Sequence, residues 1–386
     1  MHDSELLPLF TGLCEIFTAG AVVGCLFTLL ECYLVLRFGR RQERRGAAQT
    51  PVTILKPLHG DEPGLLERLA QFCKQDYAGP VELVFGTRHD AAAAVVRELE
   101  VEFPDQTIKL ALNTRSYGNN DKVSNLIGMQ PLSSHETVVL SDSDIIVGPD
   151  YLRRVIAQME QPNVGAVTCL YHGVADDRLW SRLSALAINS HYLPHAVTAT
   201  STGLAEVCCG ATIALRRAIL NRLGGFNAFA DTLADDYTIG FAVRSAGYRV
   251  VTAPFLVAHL CFESSLRQLV LHELRGARTI RTIEPIGYAG SIITHPWPLA
   301  LIGMLSGSGI AAAVAAAALI SRLTLCICVK RRFGLAGRDY WLVPLHDFIA
   351  FAVYVTSFFG ATVHWRGADY RVKTDGTLIE QKLSKS

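Results

Sequence analysis

No two cysteines in this 386-residue chain are spaced as Cys-x-x-Cys. The ten cysteines include the adjacent Cys208-Cys209 and the pair Cys326-x-Cys328, and neither spacing suits a zinc site or a disulfide framework. They read as small buried hydrophobes in a reducing compartment. Net charge is also scarce. Thirty-six Lys and Arg against 35 Asp and Glu leave +1, which speaks against a nucleic-acid partner. No Gly-x-Gly-x-x-Gly follows a strand-like run and no Walker A sequence occurs, so neither a dinucleotide fold nor a P-loop is indicated. Apolar residues are what the chain has in excess: they make up 50% of it and crowd towards its two ends.

The first apolar segment, 9–36, has no charge from Ile16 to Leu30 and exceeds the roughly 20 residues that cross a hydrocarbon core. A cleavable signal would have a basic stretch ahead of it, whereas Asp3, Glu5 and Glu15 stand there. Arg37, Arg40, Arg41, Arg44 and Arg45 follow the segment, and the positive-inside rule puts this end, with the domain after it, in the cytoplasm. A second region, 297–329, is interrupted by Gly307-Ser308-Gly309 and Arg322 and fits either a hairpin or one long span. A third, 341–363, contains His346 and Asp347, which favour an interfacial or protein-buried helix over one lying in lipid. A polar tail, 366–386, closes the chain. These features predict a multi-pass protein of the cell's inner (plasma) membrane with a cytoplasmic domain over 51–294.

Within 51–294, Val52–Lys56, Val81–Phe85, Ile108–Leu112, Thr137–Leu140 and Val164–Leu170 read as strands. Helical spacing covers Glu62–Tyr77, Ala91–Phe103 and Asp150–Met159. Alternating strands and helices predict an α/β domain with a mostly parallel sheet, whose ligands sit beyond the carboxyl ends of the strands.

Asp142-Ser143-Asp144 directly follows the apolar strand Thr137–Leu140. Two carboxylates so placed can share Mg²⁺ or Mn²⁺, which would also take diphosphate oxygens; a polar turn capping the next helix has the same pattern. Asp235-Asp236 opens the helical stretch 237–246. Adjacent carboxylates raise each other's pKa, which suits a general base, although acidic residues also favour helix N-termini for dipole reasons. Arg275, Arg278 and Arg281 recur every third residue and form a basic stripe that fits phosphates, lipid headgroups or solvent.

The order of these pieces resembles the ceramide glucosyltransferase family of inverting GT-A enzymes, family 21. The similarity runs from Thr53 to Tyr370 and rests on Thr53-Ile-Leu-Lys-Pro-Leu-His-Gly60, Lys122-Val-Ser-Asn-Leu126, Leu140-Ser-Asp-Ser-Asp144, Gly210-Ala-Thr-Ile-Ala-Leu-Arg-Arg217, Ala234-Asp-Asp-Tyr237 and Trp365-Arg-Gly367. Pro285-Ile-Gly-Tyr-Ala-Gly-Ser291 and Thr294-His-Pro296 are similar to the bacterial hopanoid-biosynthesis branch. The resemblance implies a GT-A nucleotide-sugar-binding domain flanked by membrane helices. It implies a UDP-sugar donor, UDP-GlcNAc or UDP-glucose, and a lipid acceptor such as bacteriohopanetetrol. Ceramide or diacylglycerol glucosylation is the enzymatic alternative, and a catalytically impaired lipid-binding relative the other. By the same resemblance Asp236 is the catalytic base. Asp90, Lys122, Asp142, Asp144 and Arg275 bind the donor, Asp142 and Asp144 through the metal. His272, Gly276 and Arg278 meet the acceptor. Two positions depart from the family's (Q/R)xxRW pattern: His272 replaces Gln/Arg and Gly276 replaces Trp.

Overall fold

The computed structural model describes residues 3–39, 49–60, 62–113, 115–337, 339–360, 362–365, 368–373 and 377–380. Arg40, Arg41, Arg44 and Arg45 of the basic cluster, Arg366-Gly367 and much of the tail lie outside these residues. The chain begins with α1 (Asp3–Arg37). It continues through β1 (Val52–Pro57), α2 (Leu65–Cys73), β2 (Val81–Thr87), α3 (Asp90–Glu102), β3 (Thr107–Leu112), α4 (Asp121–Met129) and β4 (Thr137–Leu140). Then come β5 (Ile145–Ile146), α5 (Tyr151–Met159), β6 (Val164–Ala175), α6 (Leu179–Ala187), a π-helical turn over 188–192, α7 (Leu193–Thr202), β7 (Ile213–Arg216) and α8 (Arg217–Arg222). The domain closes with α9 (Asp235–Ser245), β8 (Arg249–Cys261) and α10 (Leu266–Ile283). After it follow α11 (Pro285–Gly290), α12 (Pro296–Met304), α13 (Gly309–Phe333), α14 (Val343–Ser357) and three short antiparallel strands, β9 (Thr362–Trp365), β10 (Ala368–Val372) and β11 (Leu378–Glu380).

The main sheet runs β3-β2-β1-β4-β7-β6-β8-β5. β3, β2, β1 and β4 are mutually parallel, as are β6 and β8; β7 enters antiparallel between β4 and β6. β1 and β4 are buried on both faces, which explains their uninterrupted apolar runs. Alternation divides β1 between two cores. Ile54 packs with Leu69, Phe72, Val96 and Val155 on one face, and Leu55 packs with Val123, Leu126, Phe226 and Ile239 on the other. The helix expected over Glu62–Tyr77 is shorter, Leu65–Cys73. Pro63 and the left-handed Gly64 (φ 65°) hold the chain out of the helix until residue 65. β6 runs past Leu170 to Ala175, because its parallel pairing with β8 continues to Ala175 opposite Cys261.

Among the described residues, two helical segments are long and apolar enough to cross a membrane by length and composition, 8–37 and 309–333. α1 packs against α12 and α13 through Ala21, Ala300, Ala315 and Ala318, small side chains that let the backbones approach, with Leu299 filling the space between them. Their outer faces leave Leu9, Ile16, Leu26, Ile310 and Ile320 more than 60% exposed. The region 297–329 is divided over residues 305–308, at the Gly-Ser-Gly point, and α12 with its 9 residues is shorter than a span. In α14, His346 and Asp347 are buried against protein.

Arg322 of α13 accounts for that burial. Its Nε and one terminal nitrogen each donate to a different oxygen of Asp347, both at 2.9 Å, and its other terminal nitrogen donates to the Ser190 carbonyl at 2.9 Å. One guanidinium thus ties two C-terminal helices to the π-helical turn of the sheet domain, with the His191 and His346 rings 5.1 Å apart beside it. Arg322→Met is expected to destabilise the detergent-solubilised protein by about 3–5 kcal/mol, because it strands a buried carboxylate, and adding Asp347→Leu should recover part of that loss. Thermal unfolding of both variants checks this; a double variant no more stable than Arg322→Met would contradict it. Orientation is checked separately at Val101, which is 82% exposed on the sheet domain. A cysteine placed there should resist an impermeant thiol reagent in sealed cells and react after lysis, and labelling before lysis would reverse the orientation.

Candidate functional site

Four aspartates converge at the carboxyl ends of β1 and β4. The turn after β4 is fixed from three sides. Lys56, fully buried in β1, donates to the Asp142 carbonyl at 2.8 Å and approaches Ser141 Oγ at 3.3 Å, while its ammonium lies 3.7 Å from the centre of the Phe72 ring. Burial pushes this ammonium down to about 7 against the pull of Asp144 and Asp142. Arg68 Nε donates to the Ser143 carbonyl at 3.1 Å, and Ser143 Oγ donates to Glu62 at 2.7 Å. Sequence reading missed these three residues. The signal it had was a lysine inside an otherwise apolar strand.

Each carboxylate of the turn has its own cation. Lys122 Nζ, on the first turn of α4, lies 2.8 Å from Asp142 and 2.9 Å from Asp235. Burial raises Asp142 to about 6 despite Lys122. Asp144 faces His259 of β8, with Nε2 3.1 Å from Oδ2. Burial alone would raise the Asp144 carboxyl, but the charge and hydrogen bond of His259 hold it well below the usual carboxylate range. The other oxygen, Oδ1, is buried and has no hydrogen-bond partner. Acceptors of that kind, beside a second carboxylate and an imidazole, fit a divalent cation.

Asp236 sits at the start of α9, where the free N–H groups of a helix end face outward. Its Oδ1 accepts from the Tyr237 amide at 2.8 Å and its Oδ2 from the Gly210 amide at 2.9 Å. Burial and the neighbouring Asp235 raise its pKa. Asp235 is clamped by Lys122 and by Asn120 Nδ2, which also donates to the Thr232 carbonyl at 2.7 Å. Gly210 is needed for closeness: a Cβ there would lie 2.7 Å from Asp142 Oδ2 and 2.8 Å from Lys122 Nζ.

Asp90 is exposed at the first turn of α3, past the end of β2. In the order β2-β1-β4 the strand before it lies two positions from the strand that ends at the Asp142 turn. Helix α10 reaches the group through its end, where Glu284 accepts from the Tyr237 hydroxyl at 3.2 Å. On α10, His272 Nδ1 pairs with Glu263 at 2.6 Å. Arg278 donates to the carbonyls of Thr362 and Phe359, and Arg281 to those of Phe358 and Gly360. Two arginines of the stripe therefore cap the carboxyl end of α14, where orphan carbonyls and the helix dipole attract cations. Gly276 is exposed, and a Cβ there would meet nothing within 4 Å. Arg275 lies one turn from His272 on the same helix.

Known proteins share this architecture. The chain is similar to ceramide glucosyltransferase 1 of Caenorhabditis elegans, 25% identical over 200 residues covering 51% of this chain and 42% of that protein. It is also similar to an N-acetylglucosaminyltransferase of Bradyrhizobium diazoefficiens, 24% identical over 241 residues covering 59% of this chain and 48% of that protein. The chain thus spans about half the length of the curated relatives it matches, from 42% to 60%. Among solved structures, the mannosyltransferase PcManGT from Pyrobaculum calidifontis, in complex with GDP-Man and Mn²⁺, superposes with a TM-score of 0.54 at 20% identity, over 91% of this chain and 99% of that one. That likeness establishes the GT-A-like fold. The profile of Glycosyl transferase family 21 matches residues 16–378, and with nearly the whole chain covered, this protein belongs to that family.

Proposed function

We propose that the chain is an inverting glycosyltransferase that moves N-acetylglucosamine or glucose from its UDP-sugar to a lipid hydroxyl at the cytoplasmic face of a membrane, with a hopanoid such as bacteriohopanetetrol as acceptor. The observation that carries this reading is Asp236. It is a half-buried carboxylate with raised pKa, held by two backbone amides, next to the strand-end pair Asp142 and Asp144 and on a domain joined to two long apolar helices. Ceramide or diacylglycerol as acceptor is the second reading, favoured by the similarity to the worm ceramide glucosyltransferase.

In this mechanism Asp236 accepts the proton of the lipid hydroxyl as its oxygen attacks the anomeric carbon. The bond from that carbon to the diphosphate oxygen breaks, UDP departs, and an α-linked donor yields a β-glycoside. Positioned general-base help of this kind contributes roughly 10²–10⁴-fold in rate. Lys122 supplies a fixed positive charge beside Asp142 and Asp235, and with Arg275 it meets the diphosphate. Asp142 and Asp144 would hold Mg²⁺ or Mn²⁺, which neutralises charge on the leaving diphosphate. Asp90 reads the uridine and ribose. His272, Gly276 and Arg278 lie towards the acceptor, Arg278 acting through the end of α14 that it caps.

Purified full-length protein, given UDP-GlcNAc or UDP-glucose and a polyhydroxylated hopanoid or ceramide, should form a glycolipid detectable by mass spectrometry. Asp236→Asn should lose at least about 10²-fold in kcat while binding UDP-sugar as the wild type does. Near-normal turnover by this variant would remove Asp236 as the base.

Gly276→Trp is expected to leave kcat/KM for the natural acceptor no higher than in the wild type, because Gly276 is exposed and a Cβ there meets nothing within 4 Å. A tenfold rise, equal to about 1.4 kcal/mol of transition-state stabilisation, would instead identify Gly276 as a lost acceptor contact.

A further inference from the structure

The polar centre around Arg322 gathers more lone pairs than its donors serve. A guanidinium can only donate, so the Arg322 nitrogen 2.6 Å from His191 Nε2 fixes a lone pair on that atom and leaves the ring proton on Nδ1. The same lone pair lies 2.9 Å from Asp347 Oδ1, a second acceptor. His346 is buried, and neither of its ring nitrogens has a hydrogen-bond partner. Its Nδ1 lies 4.0 Å from that Asp347 oxygen, and its Nε2 3.5 Å from Glu273 of α10. The His195 ring, 5.8 Å from that of His191, faces Glu31 of α1 at 3.5 Å, and each of those two contributes a buried, unpartnered atom. Asp347, Glu31 and Glu273 therefore bring three carboxylates against one guanidinium, and two negative charges are unanswered when all are ionised.

We infer that His191 Nε2, His346 Nδ1 and Asp347 Oδ1 bind a zinc ion that fastens α14 to the π-helical turn of the sheet domain. This site shares no residue with the carboxylate turn and does not depend on the glycosyltransferase reading. The three ligand atoms all lie within 4.8 Å of one another. Tetrahedral zinc with bonds of about 2.0–2.1 Å sets neighbouring donors about 3.3 Å apart, between the 2.9 Å and 4.0 Å found here, so small side-chain rotations bring all three to one ion. Two imidazoles and a carboxylate suit zinc, whereas Mg²⁺ and Ca²⁺ take oxygen ligands. Zinc needs neutral rings, and burial with the Arg322 charge holds His191 well below the usual imidazole range. Glu273 supplies the carboxylate that commonly stands behind a ligating histidine and decides which ring nitrogen keeps its lone pair. Arg322 keeps its bonds to Asp347 Oδ2 and the Ser190 carbonyl and orients the carboxylate from behind; only its contact with His191 gives way. His295, its ring 5.6 Å from that of His191 and its buried Nδ1 unpartnered, is at hand for the fourth position, directly or through a water. Protons on Glu31 and Glu273 would answer the same excess charge, but they would leave the three converging lone pairs facing one another.

The test uses the full-length protein in detergent, without a polyhistidine tag, equilibrated with Zn²⁺ and desalted. About one equivalent of zinc should remain, and its X-ray absorption should show imidazole and oxygen neighbours and no sulfur. Tm should rise with the ion and fall with a chelator. His191→Gln and His346→Gln should each weaken Zn²⁺ by about 100-fold or more, and Glu273→Gln, which leaves every ligand in place, by about tenfold. Asp144→Asn should keep the zinc, which separates this site from the carboxylate turn. Wild-type protein that retains no zinc, or His346→Gln that binds it as tightly as the wild type, would overturn the inference. Zinc lost in Asp144→Asn would assign the ion to the carboxylate turn and overturn it as well. Should the histidine variants fail to fold, the wild-type absorption spectrum decides: an all-oxygen or sulfur-containing shell would refute the site.

Discussion

Four aspartates gathered at the middle of a sheet would repel one another and resist burial, so their compensation is the constraint on which this domain depends. Lys122 answers it first, by bridging Asp142 and Asp235 with one ammonium. His259 takes Asp144, and two backbone amides take Asp236. Lys56 remains behind the turn, holding the Asp142 carbonyl and the Ser141 hydroxyl rather than a carboxylate. The arrangement explains why α4 must begin where it does: Asn120 caps the helix through the Val123 amide and also donates to Asp235, so one residue sets both the helix start and the position of a carboxylate.

A second polar centre holds the domain to the apolar helices. The π-helical turn over 188–192 serves both centres, since His191 contacts Asp347 at 2.9 Å while Tyr192 reaches Cys209 Sγ at 2.8 Å, next to Gly210. Local widening of a helix lets adjacent residues face different partners, and π-turns occur often at functional sites for that reason. Any movement of the C-terminal helices is therefore mechanically close to the Asp236 anchor. Arg278 and Arg281 make a similar link from α10 to the end of α14.

Much of this was legible in the residues. β1, β2 and β4 are apolar runs between turn residues, and such runs declare themselves because both faces are buried. Asp142, Asp144 and Asp236 stood out because charge directly after an apolar run, or paired at a helix start, is a local pattern. What escaped was non-local. His259 is an unremarked residue of a strand until β5 pairs beside it, and β5 is only two residues long. The antiparallel entry of β7 between β4 and β6 has no local signature either. Arg322 and Asp347 were each noticed as oddities within apolar segments, but their pairing depended on helix packing. The basic stripe on α10 had three readings, and only the position of the end of α14 reveals that Arg278 and Arg281 meet backbone carbonyls there.

The buried Arg322 also orders events during synthesis. Its three partners come from both sides of it in the chain: Ser190 and His191 emerge from the ribosome earlier, and Asp347 25 residues later. Were α13 to enter a bilayer before α14 is made, it would carry an unpaired guanidinium near its middle, a burden of about 2.5–3.5 kcal/mol on insertion scales. The sheet domain can relieve part of it only if the π-helical turn has already formed, and α14 relieves the rest on arrival. Completion of this polar centre is thus conditional on a folded sheet domain, and a chain halted before residue 347 would leave α13 with a charge and no counterion.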